Sequence, residues 1–445
     1  MQSIIRENNQ TLKLAFPIAC GLLSHLLMGL IDTLMIGHLG TVELAAAAFS
    51  NVLHHFPFVM GFGLYSSVAV MVSHAHGSQN NGQATEAFRN GYLLALIFGL
   101  TMAVALIACI PFLHLFQQPA EVIEIVPEYL FWLALSLVPT FPMMTIKKFA
   151  EAQNQPWSVF WIMLCSVLLN IGLNYALIFG QLGAPQLGLA GAGIATLLAR
   201  LASWAGLYFY LQKSSRLSAT RPLKYIGPWN RSACQRTLRL AAPISGQLVM
   251  EYGAFAMAAL LIGQFGSAAL AAHQITLSCA SFTFMIPLGI SMAVTIRVGQ
   301  ALGSNDLASC KQIALGGHLS TLVVMVFCAL VFVFGGDWIA SAFSRDPDVV
   351  LLATALLGIA AAFQVFDGIQ IISMGALRGL RDVNLPTLII FVSFWLVGIP
   401  LGAGLAFFAD MQTSGLWSGL ASGLALAAAI LSLRLMQKLR ELKDV

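Results

Sequence analysis

The chain has 445 residues, 58% of them hydrophobic and 9% charged, with a formal net charge of +4 and a mean hydropathy of +0.84. A water-facing domain carries about 25% charged residues, so this composition excludes a soluble globular fold and points to a chain solvated by lipid. The charge balance points to no nucleic-acid partner.

Apolar runs long enough to cross a hydrocarbon core about 30 Å thick recur down the whole sequence. They predict twelve spanning helices. Six lie at about 12–36, 46–72, 91–115, 124–146, 157–180 and 188–211. Six more lie at about 238–263, 268–296, 313–334, 349–373, 386–409 and 415–437.

The first run contains Asp32 and Pro17 and is too long for the apolar region of a cleavable signal peptide. The fifth carries Asn170 and Asn174, four residues apart and so on one face. Amide oxygens there suit a small hard cation or a carboxyl partner. The alternative is that they tie helices together. The sixth holds Gly191-Ala192-Gly193, which lets helices approach closely, then Thr196 and Arg200. Arg200 either pairs with an acid or reaches for the interface. The seventh carries Glu251 with Phe255 one turn on, and the tenth Asp367 with Phe363 one turn before.

A carboxylate in the hydrocarbon centre costs at least about 2.5 kcal/mol. Asp32, Glu251 and Asp367 are therefore the chief functional candidates, against the plainer reading of neutral, hydrogen-bonded groups. Phe255 and Phe363 beside acids suit an organic cation, or are ordinary packing. Met28, Met35, Met60 and Met285 suit a pliable site for varied apolar ligands, or are core. His25, His55 and His273 are possible proton relays. Trp157, Trp204 and Trp395 are placed near helix ends, at the interface. The seven scattered cysteines read as small buried side chains. No Walker loop, nucleophile elbow or HExxH is present, so an enzyme is not expected.

Basic residues set the expected orientation. With a cytoplasmic N-terminus, Lys147, Lys148, Arg297, Lys311, Arg378 and Arg381 fall inside. So do Lys213, Arg216, Arg221, Lys224, Arg231 and Arg236 of the middle loop and Arg434, Lys438, Arg440 and Lys443 of the tail. Outside loops hold Arg345 alone. Both termini are thus expected in the cytoplasm.

The chain also repeats itself at a shift of 226 residues. Leu12-Lys13-Leu14-Ala15-Phe16-Pro17 meets Leu238-Arg239-Leu240-Ala241-Ala242-Pro243, and Gly77-Ser78 meets Gly303-Ser304. Further on, a shift of 230 pairs Asn154 and Pro156 with Asn384 and Pro386. Six helices per repeat imply halves inserted the same way up, with a site between or inside them. The expected organisation is all-α and polytopic: a six-helix lobe over 1–212, a cytoplasmic linker over 213–236 and a homologous six-helix lobe over 237–445. In this alignment Asp32 meets Ala258 and Glu251 meets His25. The two lobes thus share a scaffold but not one site.

These features together resemble the multidrug and toxic compound extrusion (MATE) family, in its NorM-like bacterial branch. The resemblance covers essentially the whole chain. Its motifs are Ile31-Asp32-Thr33-Leu34-Met35-Ile36-Gly37-His38-Leu39-Gly40, Ala271-Ala272-His273-Gln274-Ile275, Arg297-Val298-Gly299-Gln300-Ala301-Leu302-Gly303 and Gly375-Ala376-Leu377-Arg378-Gly379. It implies antiport, with a lipophilic cationic drug leaving as Na⁺ or H⁺ enters, in a bacterial inner membrane and as a monomer. No cofactor is expected beyond that coupling ion. The resemblance matches Glu251 and Asp367 to the family's C-lobe cation site, with Na⁺ as a candidate occupant. It matches Asp32, Asn170, Asn174 and Thr196 to the N-lobe site. Asn174 stands where some relatives carry an aspartate, which leaves that lobe one charge fewer. The drug is expected in a cavity between the halves, with Phe255, Phe363, Met28 and Met285 as its contacts. Flipping of a lipid-linked precursor is the alternative transport reading. A passive channel or membrane sensor is the alternative of another class.

Overall fold

A computed structural model describes residues 2–220 and 230–441. Arg221, Lys224 and Lys443, used above for orientation, lie outside the described residues. The described residues form twelve helices long and apolar enough to cross a membrane. In the first half these are α1 (Gln2–Gly37), α2 (Thr41–Gly77), α3 (Asn81–Phe116), α4 (Ala120–Ala152), α5 (Pro156–Phe179) and α6 (Gly188–Lys213). In the second half they are α7 (Arg231–Phe265), α8 (Ser267–Gly303), α9 (Leu307–Phe343), α10 (Pro347–Gly379), α11 (Asn384–Phe408) and α12 (Gln412–Glu441). The protein is thus an all-α, multi-pass membrane fold of two six-helix bundles.

Every predicted helix is present, and most are longer than their apolar runs. The run at 313–334 is the middle of α9, whose 37 residues span about 55 Å at 1.5 Å per residue. Apolar sequence reports only the part of a helix at lipid depth, and polar turns continue it beyond. Residues in the left-handed region then end the chain's helical course, and they recur in the repeat. Gln79 and Asn305 take φ of 55° and 57°, and Asn154 and Arg381 both take 61°. The next helices start on matching caps. Asn80 accepts from Gln83 N–H, and Asp306 accepts from Ser309 N–H, each 3.0 Å.

Each bundle is built on one central helix. In the first, α4 packs on α2, α3 and α6; in the second, α10 packs on α8, α9 and α12. Phe88, Phe141, Phe149 and Ile146 fill the first core, and Trp417, Leu356, Leu357 and Phe332 lie in the second. Packing, not loss of water, drives this association in lipid, so close backbone contacts matter. A Cβ on Gly191 would sit 2.6 Å from Leu177 O, and one on Gly193 would sit 2.8 Å from Trp132 Cβ. These glycines therefore serve the close approach expected of them.

Packing divides the chain into two compact units that differ from the lobes over 1–212 and 237–445. One unit is Cys20–Ser245; the other is the chain up to Ala19 together with Gly246 onward. The first turns of α1 thus belong with the second half, and those of α7 with the first. The reason is polar anchorage. Arg297 of α8 donates to the Glu7 carboxylate (2.5 Å), Gln10 Oε1 (2.7 Å) and Thr11 Oγ1 (2.7 Å). At the corresponding place in the other unit Thr237 Oγ1 donates to Met71 Sδ (3.8 Å), and Ser245 Oγ donates to Met60 O (2.5 Å).

Several basic residues used for orientation are not loop residues. Lys147 and Lys148 lie in α4, 7% and 5% exposed, and Lys148 Nζ bonds Glu151 at 2.7 Å. Arg378 is buried in the last turn of α10. Trp204 Nε1 donates to Tyr92 Oη (3.2 Å) and Trp395 Nε1 to Met250 O (3.0 Å), both within helices.

Candidate ion and substrate sites

In the second unit, α7 carries Glu251 and α10 carries Asp367 and Gln370. Gln370 Nε2 donates to Glu251 Oε1 at 3.1 Å. Asp367 is buried, and its charge and that of Glu251 interact. Gln364, Asp367 and Gln370 repeat every three residues, which aligns them along one face of α10. Gln364 accepts from Thr283 Oγ1 (2.8 Å), while Gln370 Oε1 is buried with no partner. Among the described residues, one cation answers this group. Arg378 acts electrostatically on Glu251 and is itself held by Gln247 Oε1 at 2.8 and 3.2 Å. Gln247 is fixed in turn by its own donation to Val383 O (3.2 Å) and Thr387 Oγ1 (3.1 Å).

Phe255 and Phe363 pack edge to face at 5.9 Å, and Phe255 also meets Phe394 at 6.5 Å. Phe363 meets Trp417 at 5.8 Å, and Trp417 Nε1 donates to His273 Nδ1 at 3.1 Å. These aromatics form one wall beside the acids. Phe363 is buried in it, while Phe255 keeps part of its surface open. Phe394 lies in a π-helical stretch of α11, Val392–Gly398. Such stretches leave backbone groups looser and recur at functional sites.

In the first unit, α1 carries Asp32 and α5 carries Asn170 and Asn174, both fully buried. Asn174 Nδ2 donates to Asp32 Oδ1 at 2.5 Å and to Asn170 Oδ1 at 3.3 Å. Asn174 Oδ1 and Asn170 Nδ2 are buried without partners. Thr196 is buried in the same unit, but no described hydrogen bond ties it to these three. Arg200 neither pairs with an acid at close range nor reaches outward. Its Nη1 donates to His54 Nε2 (2.9 Å) and Ser136 Oγ (2.7 Å). His25 and His55 both stack on Phe58, at 6.1 and 6.4 Å. Met28 belongs to this unit and is buried; Met285 belongs to the other and is half-buried.

Among the described residues no three His, Cys, Asp or Glu side chains converge to hold a metal ion. Gln370, Gln364, His54 and Ser136 escaped the sequence reading. The three-residue stripe on α10 is the one signal that would have found the glutamines. His54 and Ser136 offered none, because neutral polar residues are common in spanning helices.

A family model described as MatE matches residues 17–176 and 243–403, one segment in each half. The chain is 33% identical over 431 residues to the "Probable multidrug resistance protein NorM" of Xylella fastidiosa strain 9a5c, covering 96% of this chain and 91% of that protein. It is 35% identical over 439 residues to the protein so named in Rhodopseudomonas palustris, covering 97% and 92%. Among solved structures it resembles the Vibrio cholerae MATE transporter VcmN in the bent form, with a TM-score of 0.90, 20% identity and 99% coverage of both chains. With a match in each repeat and relatives aligned nearly end to end, the chain belongs to the MATE family of transporters, related to the bacterial NorM-type proteins.

Proposed function

We propose that this protein exports lipophilic cationic drugs and toxins, driven by Na⁺ or H⁺ moving inward, by alternating access. The observation that carries the reading is the pair of half-buried Glu251 and buried Asp367 in one unit, with Gln370 bonded to Glu251. Two interacting carboxyls in hydrocarbon favour any species that removes charge from them: a proton, a sodium ion or a drug cation. The unpartnered Gln370 Oε1 adds a hard oxygen suited to Na⁺. Phe255 offers a partly open aromatic face to an organic cation. Asp32, with Asn170 and Asn174, is the second ion-responsive group; Thr196, Met28 and Met285 complete the proposed set. The names of the relatives support drug export, and their bacterial origin supports an inner-membrane location. Both termini are taken as cytoplasmic and the unit as a monomer.

Flipping of an anionic lipid-linked precursor needs a cationic site, which the acids of the second unit disfavour. The deciding measurement is efflux of a fluorescent cation from everted vesicles, with Na⁺ and pH gradients imposed separately. Efflux under at least one gradient is expected. Transport indifferent to both would overturn the reading and leave a passive channel.

A further inference from the structure

An open groove of about 540 Å³ lies in the first unit, where α5 begins at Pro156 and α6 ends at Lys213. Gly206 of α6 lines it and faces α5: a Cβ there would sit 3.0 Å from Ile162 Cγ2. The groove thus stands at the ends of two spanning helices, where a bilayer passes from hydrocarbon to headgroups.

The polar lining is cationic. Lys213 and Arg216 both line the groove, and no Asp or Glu does so among the described residues. Neither basic residue forms an ion pair among the described residues. Arg216 Nη1 donates to Gln155 Oε1 at 3.2 Å, and Tyr210 Oη donates to the same oxygen at 3.5 Å. A neutral amide therefore places the guanidinium without cancelling its charge. The hydroxyls of Ser158, Ser214 and Ser215 supply further donors.

The rest of the wall is aromatic. Phe209 lines the groove and is 58% exposed. On α5, flanking Ser158 in sequence, Trp157 and Trp161 are exposed and stack at 6.5 Å, and Phe160 meets both edge to face at 5.8 and 5.1 Å. Exposed aromatics at the end of a spanning helix mark the headgroup level. Two positive charges without a carboxylate partner require a ligand of net negative charge, and they repel a drug cation. A small soluble anion would answer the charges and leave the aromatic wall unused. A zwitterionic headgroup would bring its own cation to a groove with no carboxylate to receive it. A phosphodiester with acyl chains and no cation of its own satisfies both parts. Its phosphate meets Lys213, Arg216 and the serines, and its glycerol and first methylenes lie along Phe209 and Gly206.

We propose that this groove binds the headgroup of an anionic phospholipid from the leaflet at this end of the bundle. The test adds phospholipids with brominated acyl chains to the purified full chain in neutral detergent at fixed ionic strength, and follows quenching of tryptophan fluorescence. The contribution of Trp157 and Trp161 is taken by difference from the chain with both changed to Phe. Half-quenching of that contribution should need at least about tenfold less phosphatidylglycerol than phosphatidylcholine, since each basic residue at the surface adds attraction for an anionic lipid. Lys213→Gln combined with Arg216→Gln should bring the ratio to about one. Ser158→Glu keeps both cations and adds a carboxylate in the first turn of α5, where an acid suits the helix; it should have the same effect. Lys438→Gln combined with Arg440→Gln removes two charges from the last turn of α12 and should leave the preference intact. If the Lys213 and Arg216 variant does not fold, Ser158→Glu decides. Equal quenching by the two lipids in the unaltered protein overturns the proposal. So does a preference that survives the groove variants, or one lost equally in the α12 variant. Complete displacement of the lipid by equimolar inorganic phosphate would assign the groove to a soluble anion and also overturn it. Transport is not a readout here, so the result is independent of the export reading.

Discussion

Hydrocarbon tolerates a carboxyl only where something answers its charge, and the acids within the helices of this protein are answered unequally. Glu251 has the Gln370 amide at 3.1 Å and the charge of Arg378; Asp367 has no described hydrogen bond. Each acid should therefore be needed separately. Glu251→Gln and Asp367→Asn are expected to abolish gradient-driven efflux from everted vesicles while leaving membrane expression normal. Gln370→Met should lower coupled efflux about tenfold through loss of its hydrogen bond to Glu251. Wild-type coupling in both acid variants would remove the C-lobe pair from the mechanism. Asp32 poses a different question, since Asn174 joins it to Asn170 in one short chain of bonds. Asp32→Asn keeps the shape and removes the titrating group. It should bind a fluorescent drug normally and fail to transport it; transport at the wild-type rate would make Asp32 structural. These three acids were legible in the sequence because a charge in an apolar run has few innocent explanations. The hydrogen-bond partners of Arg200 were not, because Ser136 and His54 lie 64 and 146 residues away.

At the scale of elements, the twelve helices and the repeat were legible, and their ends were not. Hydropathy marks lipid depth, whereas the ends are set by caps such as Asn80 and Asp306 and by left-handed residues such as Gln79 and Asn305. The π-helical stretch of α11 also left no sequence mark, since the same apolar residues serve an α-helix. The Asp306 cap offers a test outside the spanning segments. Side-chain and backbone hydrogen bonds from Ser309 hold the Asp306 carboxyl below the ordinary carboxylate range. A lowered folded pKa stabilises the fold above the unfolded pKa, and that contribution fades as pH falls through the folded value. Asp306→Ala should cost about 1 kcal/mol at neutral pH, and the gap to wild type should narrow in acid, read from unfolding curves. A gap that stays constant below pH 4 would mean the charge contributes nothing. Packing of α12 on α11 gives a sharper effect. A Cβ on Gly419 would lie 2.2 Å from Gly402 Cα and 2.6 Å from Gly398 O, both backbone atoms that cannot give way. Gly419→Val should destabilise the second bundle by at least about 2 kcal/mol, lowering its thermal midpoint in detergent; an unchanged midpoint would mean α11 can move aside freely.

At the scale of the molecule, the surprise is that neither compact unit is made from one sequence half alone. The borders fall after Ala19 and after Ser245, which are repeat equivalents (245 − 19 = 226), two residues beyond Pro17 and Pro243. Gly289 lies against Ala19 and Gly63 against Ser245, so the exchange is symmetric. The repeat motif was legible, but the exchange was not, because it rests on long-range contacts such as Arg297 with Glu7. Helix α7 carries Glu251 in one unit and begins in the other, so a change at the acid acts on an element with ends in both. Under the export reading, drug and coupling ion must then be linked through one free energy. A drug cation drawn to Glu251 and Asp367 meets a charge that Na⁺ or H⁺ also removes. Direct competition makes drug affinity fall as either ion rises, and linkage demands that ion affinity fall by the same factor as drug rises. A fluorescent lipophilic cation titrated against the purified protein at several Na⁺ concentrations and pH values measures the first arm. Sodium titrations at several drug concentrations measure the second. Equal factors in the two arms are expected, and Glu251→Gln should reduce both together. Binding that ignores both ions would place the coupling in the conformational step alone. A neutral analogue that binds as tightly as its cationic parent would show that apolar contact, supplied by side chains such as Phe255, anchors the drug without the acids.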